Sequence, residues 1–195
     1  MAELSSEYWS NRYLQNQDGW DLGQISPPIK EYIDQLENKN IQLLIPGCGN
    51  GHEASYLYKN GFIHTNILDF AKPPLEKFLS ENPFFPPNQV INDDFFNHIG
   101  QYDLIIEQTL FCAIDPKLRA NYAKKIHSLL KPNGKLIGLL FNKEFQNGPP
   151  FGGNKEEYLT YFSPYFNSIY IENAYNSIKP RKDSEFFIII QNKKV

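Results

Sequence analysis

The chain has 195 residues, with 19 Lys and Arg against 22 Asp and Glu, and a net charge of −3. This length is typical of one domain, 1–195, and 41% hydrophobic residues suffice for a single core. The slightly acidic balance, with few arginines, argues against a nucleic-acid partner, whose phosphates a binding protein must neutralise. The 15% aromatic content is unusual and indicates that something flat and apolar is enclosed.

The sequence contains no run of apolar residues typical of a signal peptide or of a membrane span. We therefore expect a cytoplasmic protein with no membrane partner. Two cysteines, Cys48 and Cys112, are too few for a disulfide framework and lack the spacing of zinc ligands. The four histidines form no HxxxH pair, so no metal site is expected. Because no pattern indicates an interface, we expect a monomer.

The predicted elements follow a polar leader, residues 1–27, that carries several aromatic side chains. Apolar residues at helical spacing predict helices, and short apolar runs predict strands. A Pro-Asn-Gly sequence at 132–134 predicts a break before the fifth strand. The predicted helices cover 28–36, 52–60, 71–81, 116–130 and 154–162, and the predicted strands cover 41–45, 63–68, 89–91, 102–106, 135–141, 166–175 and 185–191.

The first five predicted strands alternate with helices or other connections, whereas the last two follow each other directly. This order predicts an α/β fold with a doubly wound, mostly parallel, seven-stranded Rossmann-like sheet. The last two strands are expected to form a C-terminal antiparallel hairpin.

The loop after the first predicted strand contains Gly47, Gly49 and Gly51. Glycines there permit positive φ and let backbone amides at a helix N-terminus approach a ligand. Asp69 ends the second predicted strand, where a carboxylate can accept both hydroxyls of a ribose. This pattern favours a site for a nucleoside-containing cofactor over an ordinary strand-to-helix turn.

The chemistry of that cofactor depends on further residues. Gly49, Gly51 and Ala54 also satisfy the G-x-G-x-x-A fingerprint, which leaves a nucleotide-dependent oxidoreductase as an alternative. Asp94 and Phe95 follow the third predicted strand, where an acid can accept from an adenine amino group and a ring can cover it. The alternative there is a solvated acidic turn before core phenylalanines. Acids after both strands are the arrangement expected of an S-adenosylmethionine methyltransferase.

Several motifs carry a resemblance to a known family. The aromatic leader over 9–23, the strand and glycine loop over 44–51, Asp94-Phe95-Phe96, and the pair 102–105 with 111–114 are the main four, and 148–151 with 156–158 is a weaker fifth. With these motifs the sequence resembles the thiopurine S-methyltransferase family, and within it the thiol/halide methyltransferases of plants and bacteria.

The resemblance implies a class I fold and S-adenosyl-L-methionine as cofactor, with S-adenosyl-L-homocysteine as product. It implies that Gly47 and Gly49 contact the cofactor, Asp69 its ribose, and Asp94 with Phe95 its adenine. Gln108 also falls among the implied cofactor contacts, but relatives have Tyr or Arg there, which leaves the acceptor open. The implied covering residues of the leader are Trp9, Tyr13 and Trp20, and those expected on the acceptor side are Phe111 and Phe151.

Methyl transfer from a sulfonium is an in-line displacement that requires alignment and the exclusion of water. Aromatic faces attract the sulfonium cation by about 0.5–2 kcal/mol. Both tryptophans of the chain, Trp9 and Trp20, lie in the leader. We therefore predict that residues 1–27 are a cofactor-covering segment that orders on cofactor binding.

No histidine or lysine is placed by a motif beside the fourth predicted strand, and Gln108 is an amide that cannot act as a base. This favours a soft acceptor that is already anionic or readily ionised, namely a thiol, hydrosulfide, thiocyanate, halide or aromatic thiol. The catalytic candidates are Gln108, Glu107 and Arg12. For Glu107, one interpretation is that it orients a ligand, and the other is that backbone amides hold it. For Arg12, one interpretation is that it meets an anionic acceptor, and the other is that it lies on the surface. Binding of S-adenosylmethionine without turnover is a further alternative.

Overall fold

The computed structural model describes residues 4–191, and the predicted domain's ends at 1–3 and 192–195 lie outside the described residues. The strands within this range are β1 (Leu43–Pro46), β2 (Thr65–Asp69), β3 (Val90–Asn92), β4 (Tyr102–Gln108), β5 (Leu130–Phe141), β6 (Ser168–Asn173) and β7 (Glu185–Gln191). The α-helices are α1 (Ser6–Leu14), α2 (Pro27–Asp34), α3 (His52–Lys59), α4 (Lys72–Glu81), α5 (Arg119–Leu129) and α6 (Lys155–Phe162).

The strands form one sheet in the order β3-β2-β1-β4-β5-β7-β6. The pairs from β3 to β5 are parallel, and β7 runs antiparallel to both β5 and β6. The predicted doubly wound sheet with its antiparallel C-terminal strands is therefore confirmed. Because the chain winds outward from β1 in both directions, the loops after β1 and β4 meet at the switch point where open α/β sheets bind ligands.

Two apolar clusters cover the two faces of this sheet. Side chains of β1 alternate between them, since Leu43 and Ile45 belong to one cluster and Leu44 to the other. Helices α2 to α4 contribute to the first cluster, and α5 and α6 contribute to the second. All four residues of β1 are buried, as expected for a central strand of a parallel sheet covered on both sides.

Helix α1 was not predicted from the sequence. It has no buried residue, and its apolar side chains do not form a stripe that periodicity could reveal. The signals it does carry are at its ends: Ser5 accepts a hydrogen bond from the Tyr8 amide, Glu7 lies in the first turn and Arg12 in the last.

The predicted break before the fifth strand is wrong in its position. Strand β5 begins at Leu130, and the Pro-Asn-Gly sequence lies inside it, with Asn133 at a φ of 65°. The register with β4 shifts there, because Tyr102 pairs with Leu130 and Leu104 with Lys135. The turn residues therefore form an irregularity within a longer strand.

Gly138 of β5 pairs with Glu107 of β4 at very close range. A Cβ atom at 138 would lie 2.2 Å from the Glu107 carbonyl oxygen and 2.5 Å from its Cβ. We expect Gly138→Ala to lower the free energy of unfolding by about 3 kcal/mol in urea denaturation, because relief requires the strand pair to separate. Gly19→Ala is the control, since nothing lies within 4 Å of a Cβ there. Equal stability of the two variants would contradict the close approach.

Candidate functional site

The glycine loop after β1 turns sharply into α3. Gly47 and Gly49 have φ values of 61° and 51°, in the left-handed region that favours glycine. A Cβ at 47 would lie 2.8 Å from Cβ of Leu110, so the loops after β1 and β4 touch. The backbone of this loop is thereby brought to the switch point of the sheet.

Asp69 lies at the end of β2, as predicted, and its buried carboxylate holds two loops. Its Oδ2 accepts a hydrogen bond from the Gly49 amide at 3.0 Å, and its Oδ1 accepts one from the Ala71 amide at 2.9 Å. Burial raises the pKa of Asp69 to about 6. The spacing of twenty residues that the sequence shows between Gly49 and Asp69 therefore corresponds to a direct contact.

A pocket lies between the glycine loop, the end of β4 and the leader, with a cavity volume of about 40 Å³. This is room for a few water molecules, and side chains of the leader line one side of it. The Tyr13 hydroxyl lies 2.7 Å from the position of a Cβ on Gly49. The residues that line the pocket are Tyr13, Trp20, Asp21, Leu22, Gln24, Ile45, Gly47, Cys48, Gly49, Asn50, His52, Glu53, Gln108 and Thr109.

The aromatic residues of the leader pack against one another. Trp20 makes edge-to-face contacts with Trp9 at 5.3 Å and with Tyr13 at 5.5 Å between ring centroids. Arg12 lies over the Trp20 ring at 5.1 Å and donates to the Gln17 carbonyl at 3.0 Å. The Arg12 guanidinium therefore stabilises the leader itself.

Polar contacts fasten the leader to the rest of the chain. Asp21 accepts from His52 Nε2 at 2.7 Å and also from the Asn50 side chain. Although burial acts to raise it, these hydrogen bonds hold the pKa of Asp21 below its usual value, and the same contact raises the pKa of His52. Arg181 donates to the Trp20 carbonyl at 2.7 Å and pairs with Glu185 at 3.1 Å.

Glu107, near the end of β4, is fully buried and engaged by protein groups. Its Oε1 accepts from the Phe111 amide at 2.9 Å, and its Oε2 accepts from the Tyr122 hydroxyl. Burial raises the pKa of Glu107 to about 7. Of the two roles considered from the sequence, these contacts correspond to a carboxylate that holds the backbone of the following loop.

Gln108 and Thr109 follow Glu107 and both line the pocket. Thr109 has a φ of 69°, which a β-branched residue rarely adopts and which costs about 1–3 kcal/mol. The buried Oε1 of Gln108 and the buried Oδ1 of Asn50 have no hydrogen-bond partner within the described chain. Both atoms are acceptors, so with the glycine loop they fit a ligand that brings N–H or O–H donors.

Other predicted site residues lie outside this pocket. Asp94 is half-buried and accepts from the Phe96 amide at 2.9 Å. Phe95 is 4% exposed and packs on Tyr122 at 5.2 Å, within the core. Phe111 is buried in the same cluster. The roles predicted for these residues at the adenine and the acceptor stay predictions.

Phe151 lies in the segment between β5 and α6 and is half-buried. Its amide donates to the Cys112 carbonyl at 2.7 Å, and its carbonyl accepts from Arg119 Nη2 at 3.0 Å. The sequence did not indicate a role for Arg119, because its partners Phe151 and Glu157 lie 32 and 38 residues away.

Cys48 and Cys112 are free thiols. Burial raises the pKa of both, that of Cys112 to about 12, so neither is a reactive thiolate. Between residues 4 and 191, no three His, Cys, Asp or Glu side chains are grouped to hold a metal ion. The helices of this same range include none with the length and apolar character to cross a membrane.

The sheet order and the loops at its switch point define a Rossmann-like fold of the class I methyltransferase type. A solved structure with this fold is 1,6-didemethyltoxoflavin-N1-methyltransferase of Burkholderia thailandensis, with a TM-score of 0.73, 14% identity and coverage of 98% of this chain and 88% of that one. Another is magnesium protoporphyrin IX methyltransferase of Synechocystis PCC 6803, with a TM-score of 0.72, 11% identity and coverage of 99% and 100%.

The family model described as thiopurine S-methyltransferase (TPMT) matches residues 4–189, and the chain belongs to this family. A probable thiol methyltransferase 2 of Arabidopsis thaliana is 31% identical over 192 residues, covering 95% of this chain and 84% of the relative. Thiocyanate methyltransferase 1 of Brassica oleracea is 31% identical, with 85% and 76% covered. Thiopurine S-methyltransferase of Vibrio cholerae serotype O1 (strain M66-2) is 24% identical, with 80% of each covered.

The chain is therefore an S-adenosylmethionine-dependent methyltransferase, and the resemblance seen in the motifs is confirmed. The match extends beyond residues 8–158, where the motifs lie, to nearly the whole chain. The family match favours methyl transfer over the oxidoreductase that the spacing of Gly49, Gly51 and Ala54 also allowed.

The buried carboxyl of Glu107 has a pKa raised from 4.5 to about 7, so the folded state binds its proton more tightly than the unfolded state. Its contribution therefore lowers wild-type stability as pH rises from about 4.5 to about 7. We expect Glu107→Gln, which keeps the shape and can accept from the Phe111 amide while its NH2 donates to the Tyr122 oxygen, to gain up to about 3 kcal/mol relative to wild type across this window.

Urea denaturation at pH 5 and pH 8 measures this difference. Asp69 also titrates in this range, but it is present in both proteins and cancels in the comparison. Tyr122→Phe is the control, because it removes a hydrogen bond to the charged carboxylate and should destabilise more at pH 8 than at pH 5. If the difference in unfolding free energy between wild type and Glu107→Gln is the same at pH 5 and pH 8, Glu107 does not have the raised pKa of a buried carboxyl.

Proposed function

We propose that this methyltransferase transfers the methyl group of S-adenosylmethionine to a small soft nucleophile, namely a thiol, hydrosulfide, thiocyanate or halide. The observation that carries the proposal is that the titratable groups described around the end of β4 are already engaged by other protein groups. Glu107 is bound by the Phe111 amide and Tyr122, and His52 is bound to Asp21.

Among the described residues, Glu107 is buried and held by the Phe111 amide, and Asp21 raises the pKa of His52, which favours the protonated imidazole; both features disfavour a base for an amine or an alcohol. Burial raises the pKa of Tyr13 and of Cys48, which keeps both protonated near neutral pH. Thiolates, hydrosulfide, thiocyanate and halides need no such base, because they are anionic or ionise readily. Relatives named as thiol and thiocyanate methyltransferases support this class of acceptor.

The bound cofactor supplies an activated methyl group on a sulfonium. In the proposed arrangement the glycine loop and Asp69 hold the cofactor, and the unpartnered oxygens of Asn50 and Gln108 accept hydrogen bonds from its donors. Tyr13 and Trp20 cover the site, exclude water and favour the cation through their ring faces. The protein's contribution to rate is then the alignment of the nucleophile with the methyl group.

We further propose that the chain is a single domain in which residues 1–27 cover the cofactor. The residues from 4 to 25 are not buried in the core, and the leader is fastened by polar contacts such as Asp21 with His52 and Trp20 with Arg181. Residues 4–24 can therefore detach without removing a side chain from either apolar cluster, whereas Ile25 packs against one cluster and Ser26 is buried. Residues 1–3 of this segment lie outside the described residues.

Removal of residues 1–22 is expected to weaken binding of S-adenosylmethionine at least tenfold in calorimetry, because the aromatic cover is lost. The variant should keep its fold, since the core receives no buried side chain from this part of the described chain. Trp20→Ala should weaken binding of S-adenosylmethionine by a smaller factor than the deletion does. Leu14→Ala is the matched leader control, because Leu14 is 67% exposed. Unchanged affinity in a folded deletion variant would overturn the covering role.

An aromatic thiol such as a thiopurine is the second candidate acceptor, and it is supported by the name of the Vibrio cholerae relative.

We also propose that the protein is a monomer, that it is located in the cytoplasm and that it binds no nucleic acid. Two free thiols suit a reducing compartment, and a net charge of −3 disfavours phosphate binding.

An acceptor panel tests the proposal. S-Adenosylhomocysteine formation is followed with iodide, thiocyanate, hydrosulfide, an alkyl thiol and a thiopurine, while calorimetry measures S-adenosylmethionine binding. We expect binding, and a kcat/KM at least tenfold higher for one of the small acceptors than for the thiopurine. Faster turnover of the thiopurine would favour the second candidate. Binding without product from any acceptor would overturn both in favour of a protein that binds the cofactor without turnover.

A further inference from the structure

The side chain of Asp21 links the leader to the residues that follow the glycine loop. Its Oδ1 accepts a hydrogen bond from the Gly23 amide at 2.6 Å and one from His52 Nε2 at 2.7 Å. Its Oδ2 accepts from the side-chain amide of Asn50. Both carboxylate oxygens are therefore engaged, and the leader is bound at one point to Asn50 and His52, which line the pocket.

The contact with Asp21 fixes which way the side-chain amide of Asn50 faces. Asp21 is ionised near neutral pH, because its pKa lies below the usual value despite its burial. An ionised carboxylate only accepts hydrogen bonds, so Nδ2 of Asn50 has to face it and Oδ1 has to face away. Oδ1 is buried and has no hydrogen-bond partner within the described chain. The contact therefore presents to the pocket an acceptor that a ligand with an N–H or O–H donor would satisfy.

The same carboxylate determines where the aromatic cover lies. Trp20 directly precedes Asp21, and its Nε1 donates to the Tyr13 hydroxyl at 3.4 Å. That hydroxyl lies 2.7 Å from the position of a Cβ on Gly49. A leader held at Asp21 thus brings the ring cover and the acceptor oxygen of Asn50 to the pocket together.

The imidazole of His52 makes this contact sensitive to pH. The hydrogen bond to Asp21 is the main cause of the raised pKa of His52, and burial of the ring opposes it. The other charged groups that act on the ring are Glu53 of α3, which raises the pKa, and Lys77 of α4, which lowers it. His52 is the first residue of α3, where the helix dipole disfavours a cation. The protonated ring therefore depends on the presence of the leader carboxylate.

We propose that Asp21 is a positioning residue for the cofactor: it orients the amide of Asn50 and holds the leader over the pocket, and its ion pair with His52 makes this hold weaker as pH rises. The ion pair is fully present below the ordinary histidine pKa of 6.5 and is lost as pH rises through the raised value. The inference rests on the proposed function, because it takes residues 1–27 to cover the cofactor and Asn50 to accept a hydrogen bond from it.

Asp21→Asn is the main test, because it keeps the volume and replaces one accepting oxygen by an amino group. Either orientation of the new amide sets this group against a donor, Nδ2 of Asn50 on one side or the Gly23 amide on the other. We expect the Kd of S-adenosylmethionine in calorimetry to rise at least tenfold. The acceptor KM at saturating cofactor should change less than threefold, and thermal stability should stay at the wild-type value, because residues 4–24 bury no side chain.

The double variant Asp21→Asn with Asn50→Asp separates positioning from general damage, because it reverses the contact. The amide at 21 can then donate to the carboxylate at 50, whose second oxygen faces the pocket as an acceptor. We expect the Kd to return to within threefold of wild type. Asn50→Asp alone should raise the Kd at least tenfold, since it sets two carboxylates against each other.

His52→Gln tests the ion pair, because its amide can still donate to Asp21 but carries no charge. S-Adenosylhomocysteine is the probe, and its Kd is measured by calorimetry at pH 6 and pH 9. We expect wild type to bind at least threefold more tightly than the variant at pH 6 and equally at pH 9. Asp69 and Glu107 also titrate in this range, but they are present in both proteins and cancel in the ratio.

Asp18→Asn is the matched control, because it removes the same charge from the same leader. Its Oδ2 lies 3.5 Å from Nδ2 of Asn50, at the limit of a hydrogen bond. The Kd of S-adenosylmethionine should stay within threefold of wild type in this variant. An equal loss of affinity in Asp18→Asn and Asp21→Asn would overturn the proposal, because the charge of the leader and not its contact would then matter.

The proposal is also overturned if Asp21→Asn binds like wild type, if the double variant recovers no affinity, or if the ratio for His52→Gln is the same at both pH values. Failure of the covering role is distinguishable, since deletion of residues 1–22 would then leave affinity unchanged. If the deletion weakens binding and Asp21→Asn does not, the cover stands and the role of Asp21 fails.

Discussion

The buried carboxylate of Glu107 is the contact on which the course of the chain after β4 depends. It accepts from the Phe111 amide ahead of it and from the Tyr122 hydroxyl of α5, so it sets where the chain goes after β4. The close approach of β4 and β5 at this residue requires glycine at 138, because a Cβ there would meet the carbonyl oxygen and the Cβ of Glu107. The unusual backbone of Thr109 lies within the turn that Glu107 closes.

Asp69 has a corresponding part at the glycine loop, where it joins the segments that follow β1 and β2 through the Gly49 and Ala71 amides. In both places a buried acid accepts hydrogen bonds from protein donors, the Tyr122 hydroxyl among them at Glu107, and its pKa rises because burial outweighs those hydrogen bonds. Asp69 and Glu107 thus hold the backbone of the loops next to them in place. The polar atoms left without partners at the pocket are amide oxygens, those of Asn50 and Gln108.

The sheet order and the cofactor loop could be predicted from sequence, because apolar runs and glycine spacing report on nearby residues. Strand bounds shifted by a few residues, and the Pro-Asn-Gly sequence failed as a boundary because strand pairing absorbed the turn at Asn133. Helix α1 could not be predicted because it has no buried face. The contacts of Arg119 and Arg181 join residues far apart in the chain, which no local pattern reveals. Phe95 and Phe111 are buried in the core, and the site roles that motif position predicted for them stay predictions.

The position of Tyr13 against Gly49 has a consequence for how the cofactor enters. Under the proposed covering role of the leader, the Tyr13 hydroxyl, which lies 2.7 Å from the position of a Cβ on Gly49, has to move aside before a cofactor can reach the glycine loop. The observed affinity is then the intrinsic affinity reduced by the fraction of molecules that are open. In the same proposal the closed leader delays departure of the product, so its opening would govern both exchange steps of a catalytic cycle and could limit turnover even when transfer of the methyl group is fast.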